Sequence, residues 1–261
     1  EGWRVIATWR KDGDANALFD EGACTDALRL GLDEADSIAT LPAELASRDV
    51  ERLDALVNCA AVTEPRPLEL TLIPRMRATF ETNLFGPLDV IQRALPLLRP
   101  ARGRIVMVSS TSGMLGVPLL GTYSSSKFAL EGLADVLRRE LAPWKLSVSL
   151  VVPGGIKTAM IDRQLRQIDA AIEALGLGIE SEYATQYRQH RRLIELAEQS
   201  AVPPTQVADD VWRALTDARP KRRYLCGLAA HGTRGLRLVP DTLVDQLFQR
   251  MPASRRSGRI L

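Results

Sequence analysis

A tyrosine and a lysine four residues apart, Tyr123 and Lys127, are the residues of this 261-residue chain best suited to chemistry. They lie in a stretch with a helical pattern, where residues i and i+4 share one face about one turn apart. An ammonium group beside a phenol favours the phenolate and lowers the pKa of the phenol. A phenol tuned in this way can exchange a proton with a carbonyl or alcohol oxygen.

Ser110 precedes this pair and follows a strand-like run over residues 104–108. Ligands of open α/β sheets bind at the carboxyl ends of the strands, so the Ser110 hydroxyl is placed to hydrogen-bond the same substrate oxygen. Taken alone, the spacing of Tyr123 and Lys127 more often describes a partly buried helix tyrosine beside a solvated lysine. The surrounding elements decide between the two interpretations.

Short apolar runs alternate with longer helical patterns, which predicts βαβ units and a parallel sheet. The predicted strands cover residues 4–8, 27–32, 55–61, 104–109, 147–152 and 224–226. The predicted helices cover 37–46, 74–98, 123–142 and 204–218. Continuous apolar runs such as 105–108 are typical of strands covered on both faces. The fold class is therefore α/β, and we expect one domain over 1–261.

Several of these residues together resemble the short-chain dehydrogenase/reductase family. Ser110 stands thirteen residues before Tyr123 (123 − 110 = 13), as the family's serine does. Asn83 precedes a Phe-Gly step at 85–86, and residues 153–158 read Pro-Gly-x-x-x-Thr after a strand. The resemblance covers nearly the whole chain, is densest over 54–160, and is nearest the hydroxysteroid and retinol dehydrogenase branch. It implies a Rossmann-like doubly wound parallel sheet and an NAD(P)-dependent oxidoreductase that interconverts a carbonyl and a secondary alcohol.

The resemblance also implies a role for each matching catalytic residue. Tyr123 would be the general acid and base, and Lys127 would lower its pKa and hold the nicotinamide ribose. Ser110 would orient the substrate oxygen. Asn83 would hold a water in a proton relay to Lys127, although a plain helix-interior hydrogen bond is an equal reading of an isolated asparagine.

Further residues match the family's cofactor-binding positions. Ile156 and Thr158 would contact the nicotinamide carboxamide from the turn that begins at Pro153 and Gly154, which alone would be an ordinary strand-ending turn. Asn58 and Ala60 match part of the family's Asn-Asn-Ala-Gly sequence. The full set of expected cofactor residues is Arg10, Asp33, Asn58, Ala60, Tyr123, Lys127, Pro153, Gly154, Ile156 and Thr158.

The end of the first strand-like run favours NADP(H) over NAD(H). Rossmann-type folds place an acidic residue there for the NAD ribose, or an arginine nearby for the NADP 2′-phosphate. After this run the chain has Arg10 and Lys11, and the first acidic residue that follows is Asp12. A solvated basic pair is the alternative for Arg10. Asp33 matches the family's aspartate near the adenine, and a capping or loop carboxylate is the alternative.

The chain departs from the family in two places. Cys59 and Ala61 replace an asparagine and a glycine, and Cys59 is expected to be a small buried residue. The family's first strand, with its glycine-rich turn and following helix, is not found. That turn brings backbone N–H groups to the pyrophosphate, and its strand would lie between residues 4–8 and 55–61. We therefore expect a truncated sheet with two raw strand edges, and a non-catalytic relative acting through protein partners is the alternative function.

Composition narrows the other possibilities. A net charge of +2 gives no field that indicates nucleic acid or a membrane surface. No apolar run approaches the ~20 residues that span a bilayer. Three widely spaced cysteines indicate no disulfide framework and a cytoplasmic protein. His190 and His231 are isolated and expected to be solvated, and no metal site is expected.

The expected partner is a small-molecule ketone or alcohol. Residues 159–203 occupy the place of the family's substrate lid, with apolar residues at near-helical spacing that either meet a lipophilic substrate or pack on the body: Ile161, Leu165, Ile168, Ile172 and Leu175. The family implies a homo-oligomer through helices 74–98 and 123–142. Their apolar positions are equally compatible with the core: Phe128, Leu133, Val136 and Leu137.

Overall fold

The computed structural model describes residues 2–11, 24–175 and 179–252. All six predicted strands are confirmed, with shifts at their ends. They are β1 (Ile6–Trp9), β2 (Asp26–Arg29), β3 (Ala55–Asn58), β4 (Arg104–Val108), β5 (Ser147–Pro153) and β6 (Arg223–Cys226). Every strand pairing is parallel, which confirms the predicted α/β class.

The strands form two sheets. One contains β1 and β2, and the other runs in the order β3-β4-β5-β6. Within the described ranges, β1 and β3 each have one edge with no strand paired to it. This is the place where the sequence predicted a break, and Ile6 of β1 and Leu56 of β3 still contact one hydrophobic cluster. The two sheets therefore flank a shared core on either side of the opening.

Helices cover both sheets and agree with the predicted set as far as residue 218. They are α1 (Ala35–Ala39), α2 (Leu41–Ala46), α3 (Ile73–Phe80), α4 (Gly86–Ala101), α5 (Gly121–Glu140) and α9 (Pro204–Thr216), with α6 (Ala159–Glu173), α7 (Ile179–Glu182) and α8 (Ala184–Gln199) in the lid segment. A π-helical turn, Glu81–Phe85, joins α3 to α4. Among the described helices, none is long and apolar enough to cross a bilayer.

Two short helices near the end of the described chain were not predicted. They are α10 (Leu228–Leu236) and α11 (Asp241–Gln249). Gly232 and Gly235 lie inside or at the end of α10, and glycine has low helix propensity, which hides the helical pattern. Most side chains of these helices are exposed, so they lack a wide apolar stripe that would reveal them.

The main core lies between the four-stranded sheet and helices α4 and α5. Its members include Ile91, Leu98, Ile105, Leu130 and Leu150, all almost fully buried. Because both helices pack on the same face of β4 and β5, the carboxyl end of β4 and the first turns of α5 are held together. This packing fixes the position of the predicted catalytic residues.

Candidate active site

Tyr123 and Lys127 lie on the same face of α5, as their spacing predicted. The Lys127 Nζ atom lies 5.8 Å from the centre of the Tyr123 ring. Both are buried, with 9% of Tyr123 and 2% of Lys127 exposed. A lysine this deeply buried is uncommon unless its charge has partners. The pair is therefore part of a built site rather than a helix surface.

Lys127 is fixed by one strong contact and by the charges around it. Its Nζ atom donates a hydrogen bond of 2.9 Å to the carbonyl oxygen of Val108, the last residue of β4. Burial lowers the pKa of Lys127 to about 8, while the nearby Cys59 and Glu131 groups favour the charged form. The ammonium is thus close to its titration range at neutral pH.

Ser110 lies immediately beyond β4, and the structure brings it to the Tyr123 phenol. Its Oγ atom accepts a 3.1 Å hydrogen bond from the backbone N–H of Ser112 and so caps the short 3-10 turn Thr111–Gly113. Burial raises the pKa of Tyr123, and a hydrogen bond with the Ser110 side chain partly opposes that effect. The expectation that Lys127 lowers the phenol's pKa is therefore wrong for this structure, because the cost of desolvating a phenolate is larger.

Asn83 lies in the π-helical turn and is 1% exposed. Its Nδ2 atom donates to the carbonyl oxygen of Val62 at 2.9 Å, and its Oδ1 atom accepts from the Val62 N–H at 2.8 Å. Nδ2 also donates to Ser126 Oγ at 3.0 Å, and Ser126 in turn donates to the Tyr123 carbonyl at 2.7 Å. Asn83 thus connects the loop after β3 to the helix of Tyr123. Its side chain bonds to residues outside its own helix, so the alternative of a plain helix-interior hydrogen bond is wrong.

Arg10 and Asp33, which the sequence predicted to bind the adenosine part of a cofactor, form an ion pair. Arg10 follows β1 directly, and Asp33 follows β2, so both lie beyond carboxyl ends of neighbouring strands. Their charged groups are 3.6 Å apart, and their side chains are 44% and 36% exposed. An exposed arginine beside a single carboxylate remains able to bind an anion.

The loop after β3 holds the other two expected residues. Asn58 is the last residue of β3, and its Nδ2 atom donates to the Pro87 carbonyl at 3.4 Å. Ala60 is exposed toward solvent. Cys59 is exposed as well, so the expectation of a buried cysteine is wrong. Local desolvation still raises the pKa of its thiol, and the positive charge of Lys127 opposes this.

The turn after β5 is bound to the far end of the lid segment. Gly155 accepts a hydrogen bond of 3.0 Å from Val202, and Val202 accepts one of 3.0 Å from Lys157. Ile156 lies between them and bridges to Val202, and Thr158 begins α6 as its N-cap residue. These bonds make the segment more than an ordinary strand-ending turn.

The first two residues of this turn are packed closely. Pro153 is the buried last residue of β5, and the N–H of Gly154 donates to the Cys226 carbonyl at 3.2 Å. A methyl group at Gly154 would lie 2.8 Å from Cβ of Ala229. The absence of a side chain therefore lets α10 approach this edge of the sheet.

The apolar residues of the lid mostly pack against one another. Ile168 is fully buried and forms a cluster with Leu119, Tyr187 and Ile194, to which the other apolar lid residues contribute. This observation favours the packing interpretation of the lid pattern. His190 lies in the same layer and is 2% exposed, so the expectation that it is solvated is wrong, whereas His231 is exposed as expected. Among the described residues no group of side chains has the composition of a metal site.

The residues present fit a nicotinamide dinucleotide at both ends. Tyr123 and Lys127 offer a phenol and an ammonium where a ribose would lie, and Arg10 offers a cation at the adenosine end. The glycine-rich turn that approaches a pyrophosphate is not among the described residues. The residues expected at the two ends of such a site therefore lie at the carboxyl ends of strands.

Comparison with known proteins gives the same picture. The short chain dehydrogenase family profile matches residues 1–169 of the chain. The chain belongs to the short-chain dehydrogenase/reductase family. It is an NAD(P)-dependent oxidoreductase by this membership, which also agrees with the arrangement of Ser110, Tyr123 and Lys127.

Individual members of the short-chain dehydrogenase/reductase family cover most of the chain. An NADPH-dependent 3-dehydrocapnine reductase of Ornithobacterium rhinotracheale is 31% identical over 75% of this chain and 69% of its own length. Human 11-beta-hydroxysteroid dehydrogenase type 2 is 32% identical over 87% of this chain and 58% of its own length. A crystal structure of a short-chain dehydrogenase from Streptomyces avermitilis has a TM-score of 0.75 at 27% identity, covering 95% of this chain and 86% of that one.

One charged residue beside the site was not predicted. Glu131 follows Lys127 by four residues on α5 and is 6% exposed. The spacing that pointed from Tyr123 to Lys127 points equally from Lys127 to Glu131. Extending the four-residue spacing by one more helical turn would have predicted Glu131 from the sequence.

Proposed function

We propose that the protein is an NADP(H)-dependent oxidoreductase that interconverts a carbonyl and a secondary alcohol through Tyr123. The observation that supports this most directly is the cluster of Ser110 with the buried Tyr123 and Lys127 at the carboxyl end of β4. Asn83 belongs to the same proposal as the residue that connects the helix of Tyr123 to the loop after β3.

The environment of Tyr123 suits it to give a proton. Burial raises the pKa of the phenol, which keeps it protonated at neutral pH. During reduction, the phenol would donate its proton to the substrate oxygen, and the Ser110 hydroxyl would hold that oxygen by a hydrogen bond. The Lys127 ammonium would stabilise the phenolate that forms. The cofactor, when bound, supplies or accepts the hydride.

Two observations support NADP(H) as the cofactor. Arg10 is exposed directly after β1, where an arginine can pair with a 2′-phosphate. The relative from Ornithobacterium rhinotracheale is named as NADPH-dependent. In this proposal Ile156 and Thr158 contact the nicotinamide from the turn after β5.

A lipophilic substrate is proposed from the relatives rather than from the lid. Human 11-beta-hydroxysteroid dehydrogenase type 2 is named for a steroid substrate. The apolar lid residues are largely occupied by mutual packing, so they do not themselves define a substrate surface. A ketone or alcohol attached to an apolar body is the substrate class that we propose.

The proposed oligomer and location follow the family and the composition. Phe128 and Val136 are 40% and 44% exposed on α5 and are available for contact with a second copy. Leu137 is buried and Leu133 packs against the main core, so these two belong to the fold instead. Cys59 and Cys226 form no disulfide in the described structure, which is compatible with a cytoplasmic single-domain enzyme.

The opening between β1 and β3 supports a second candidate function. A sheet with two unpaired edges in its middle favours a protein that is stable only with a further strand or partner. We propose that a strand–helix unit with a glycine-rich turn completes the site. The chain 1–261 and a version extended by such a unit should then differ in their affinity for NADPH, and only the extended version should bind it tightly. Equal binding curves for the two proteins would contradict this proposal.

The test of the oxidoreductase is Tyr123→Phe, which removes the hydroxyl and keeps the ring. We expect carbonyl reduction with NADPH to fall by at least about a hundredfold, with little change in the melting temperature. An undiminished rate would rule out the proposed chemistry. A chain whose melting temperature does not respond to NADPH, and which reduces no ketone, would favour the non-catalytic alternative.

A further inference from the structure

Glu131 lies one helical turn beyond Lys127 on the buried face of α5. Its Oε2 atom accepts a 2.7 Å hydrogen bond from Nε of Arg223, the first residue of β6. The side chain of Glu131 is 8% exposed, and that of Arg223 is 24% exposed. Its other oxygen, Oε1, is buried and has no hydrogen-bond partner among the described residues. One carboxylate oxygen thus binds Arg223, and the other is buried without a described partner.

The Glu131 side chain and the Lys127 backbone both lie close to Gly113. A methyl group at Gly113 would lie 2.9 Å from Ser109 Oγ, 3.0 Å from the Lys127 carbonyl oxygen and 3.2 Å from Cγ of Glu131. Ser109 Oγ is the second buried oxygen here without a described partner. Gly113 therefore packs against Ser109, the Lys127 backbone and the Glu131 side chain, while Lys127 and Glu131 lie one turn apart on the buried face of α5.

The charged and titratable groups around Lys127 and Glu131 come from three elements. On α5, Lys127 has Tyr123 on one side and Glu131 on the other, and Cys59 reaches it from the loop after β3. On β6, Arg223 contacts Glu131 and, at 3.3 Å, Asp135. Asp135 is also bound by Arg138 at 2.8 Å. Glu131 is the carboxylate in this chain of charges that stands between Lys127 and Arg223.

We propose that Glu131 is a positioning residue whose carboxylate keeps Lys127 positively charged during catalysis, with Arg223 fixing that carboxylate in place. The inference rests on the proposed function of Tyr123 and Lys127. Opposite charges one turn apart on a helix attract each other more strongly when both are buried, because water screens them less. The carboxylate therefore offsets part of the cost of burying the ammonium.

The titration of Lys127 agrees with this arrangement. Its pKa is about 8, below the usual 10.5, and Glu131 is one of the groups that raise it toward that value. Without the carboxylate, more of the lysine would be neutral at pH 7 to 8 and less able to stabilise a phenolate on Tyr123. A salt bridge that merely anchored β6 to α5 would not affect this titration.

The test compares Glu131→Gln with Asp135→Asn. Each substitution removes one carboxylate that contacts Arg223, but only Glu131 lies one turn from Lys127 on the buried face of α5. Carbonyl reduction is measured against pH in each variant. We expect the alkaline limb of the profile to move down by about one pH unit in Glu131→Gln and to stay in place in Asp135→Asn.

A second readout needs no cofactor. The pKa of Lys127 is lower in the folded chain than the usual 10.5, so the unfolded chain binds more protons between about pH 8 and pH 10.5. Lys127 therefore makes stability rise with pH across that window, and Lys127→Met removes the rise. In the Glu131→Gln background, the part of the rise that depends on Lys127 should begin at lower pH.

For Arg223→Gln we expect the alkaline limb to shift in the opposite direction from that in Glu131→Gln. This variant also tests the inference if Glu131→Gln does not fold. Removing the competing cation leaves the carboxylate to Lys127 alone, so the alkaline limb should move to higher pH. Glu131→Asp keeps the charge and should restore most of the native profile. Equal profiles for Glu131→Gln and Asp135→Asn, or shifts of the same sign in Glu131→Gln and Arg223→Gln, would overturn the inference. If the wild-type protein reduces no carbonyl, that result contradicts the proposed function. The dependence of stability on pH then tests the effect of Glu131 on Lys127.

Discussion

The Lys127 Nζ atom and the carbonyl oxygen of Val108 are 2.9 Å apart, so the last residue of β4 holds the ammonium in the site. Since burial lowers the pKa of Lys127 to about 8, the group loses its charge as the pH rises through that value. We expect the rate of carbonyl reduction to fall on the alkaline side of about pH 8. Steady-state rates from about pH 6 to pH 10 check this.

The corresponding substitution is Lys127→Met, which keeps much of the length of the side chain without its charge. We expect the reduction rate to fall by at least about a hundredfold and the alkaline limb near pH 8 to disappear. Lys145→Met, at an exposed lysine beyond α5, is the matched control and should change neither. A Lys127→Met protein with the native rate would contradict the role of the lysine.

Gly86, the first residue of α4, lies against Leu32 in the connection between β2 and α1. A methyl group at Gly86 would lie 2.1 Å from the carbonyl oxygen of Leu32, too close without movement of the backbone. We expect Gly86→Ala to reduce the free energy of unfolding by about 2 kcal/mol or more. Denaturant unfolding measures this difference.

Gly132 provides the matched control for Gly86, because both glycines lie in long helices. No atom lies within 4 Å of a methyl group at Gly132, and the residue is exposed on α5. Gly132→Ala should therefore stabilise the protein by roughly 0.5–1 kcal/mol through its better helix propensity. A loss of stability in Gly132→Ala as large as in Gly86→Ala would show that the Leu32 contact is not the cause.

His190 is a buried histidine in the lid whose protonation should weaken the fold. It is 2% exposed, neither ring nitrogen has a partner of good geometry in the described structure, and burial lowers its pKa to about 4. The unfolded chain, with the usual pKa of 6.5, binds more protons between pH 6.5 and about pH 4. Stability should therefore decrease as the pH is lowered through that window, by about 3 kcal/mol at most.

Thermal melting of His190→Leu against pH tests this expectation. The variant should lose less stability than the wild-type protein between pH 6.5 and pH 4, and it should be about as stable at pH 7, since no strong hydrogen bond is removed. The exposed His231 supplies the control, because His231→Gln should keep the native pH dependence. Parallel curves for the wild-type protein and His190→Leu would show that His190 is not the group concerned.

The sequence predicted the parts of the site that depend on local periodicity. The four-residue spacing of Tyr123 and Lys127, and the position of Ser110 after β4, follow from one helix and one strand end. The bonds from Asn83 to Val62 could not be predicted in this way, because they join segments whose approach is set by the packing of α4 on the sheet. The raised pKa of Tyr123 was missed for a related reason, since spacing shows which groups are neighbours but not how deeply they are buried.

The same distinction explains the errors in the lid and in the loop after β3. His190 is polar, but it lies three residues from Tyr187 and four from Ile194 on the buried face of α8. Its burial depends on which face of the helix meets Leu119, a long-range contact. Cys59 was expected to be buried by residue type alone, and it is exposed in the loop after β3, a strand that has one edge without a paired strand among the described residues.

Arg10 and Asp33 lead to a prediction about cofactor preference. Their side chains form an exposed ion pair of 3.6 Å beyond the ends of β1 and β2. If Arg10 binds the 2′-phosphate, Arg10→Ala should raise the KM for NADPH about tenfold or more and leave that for NADH nearly unchanged, because a charge-assisted hydrogen bond contributes about 1.5–3 kcal/mol. Arg52→Ala, at another exposed arginine paired with Asp54 before β3, should change neither constant.

Asp33→Asn then separates the two roles open to the carboxylate. If Asp33 only pairs with Arg10, its removal frees the guanidinium, and the KM for NADPH should fall while that for NADH stays the same. If Asp33 instead contacts the adenine, both constants should rise together, because the two cofactors share that group. Initial-rate measurements with both cofactors distinguish these results, and equal increases for NADPH and NADH in Arg10→Ala would refute the preference for NADP(H).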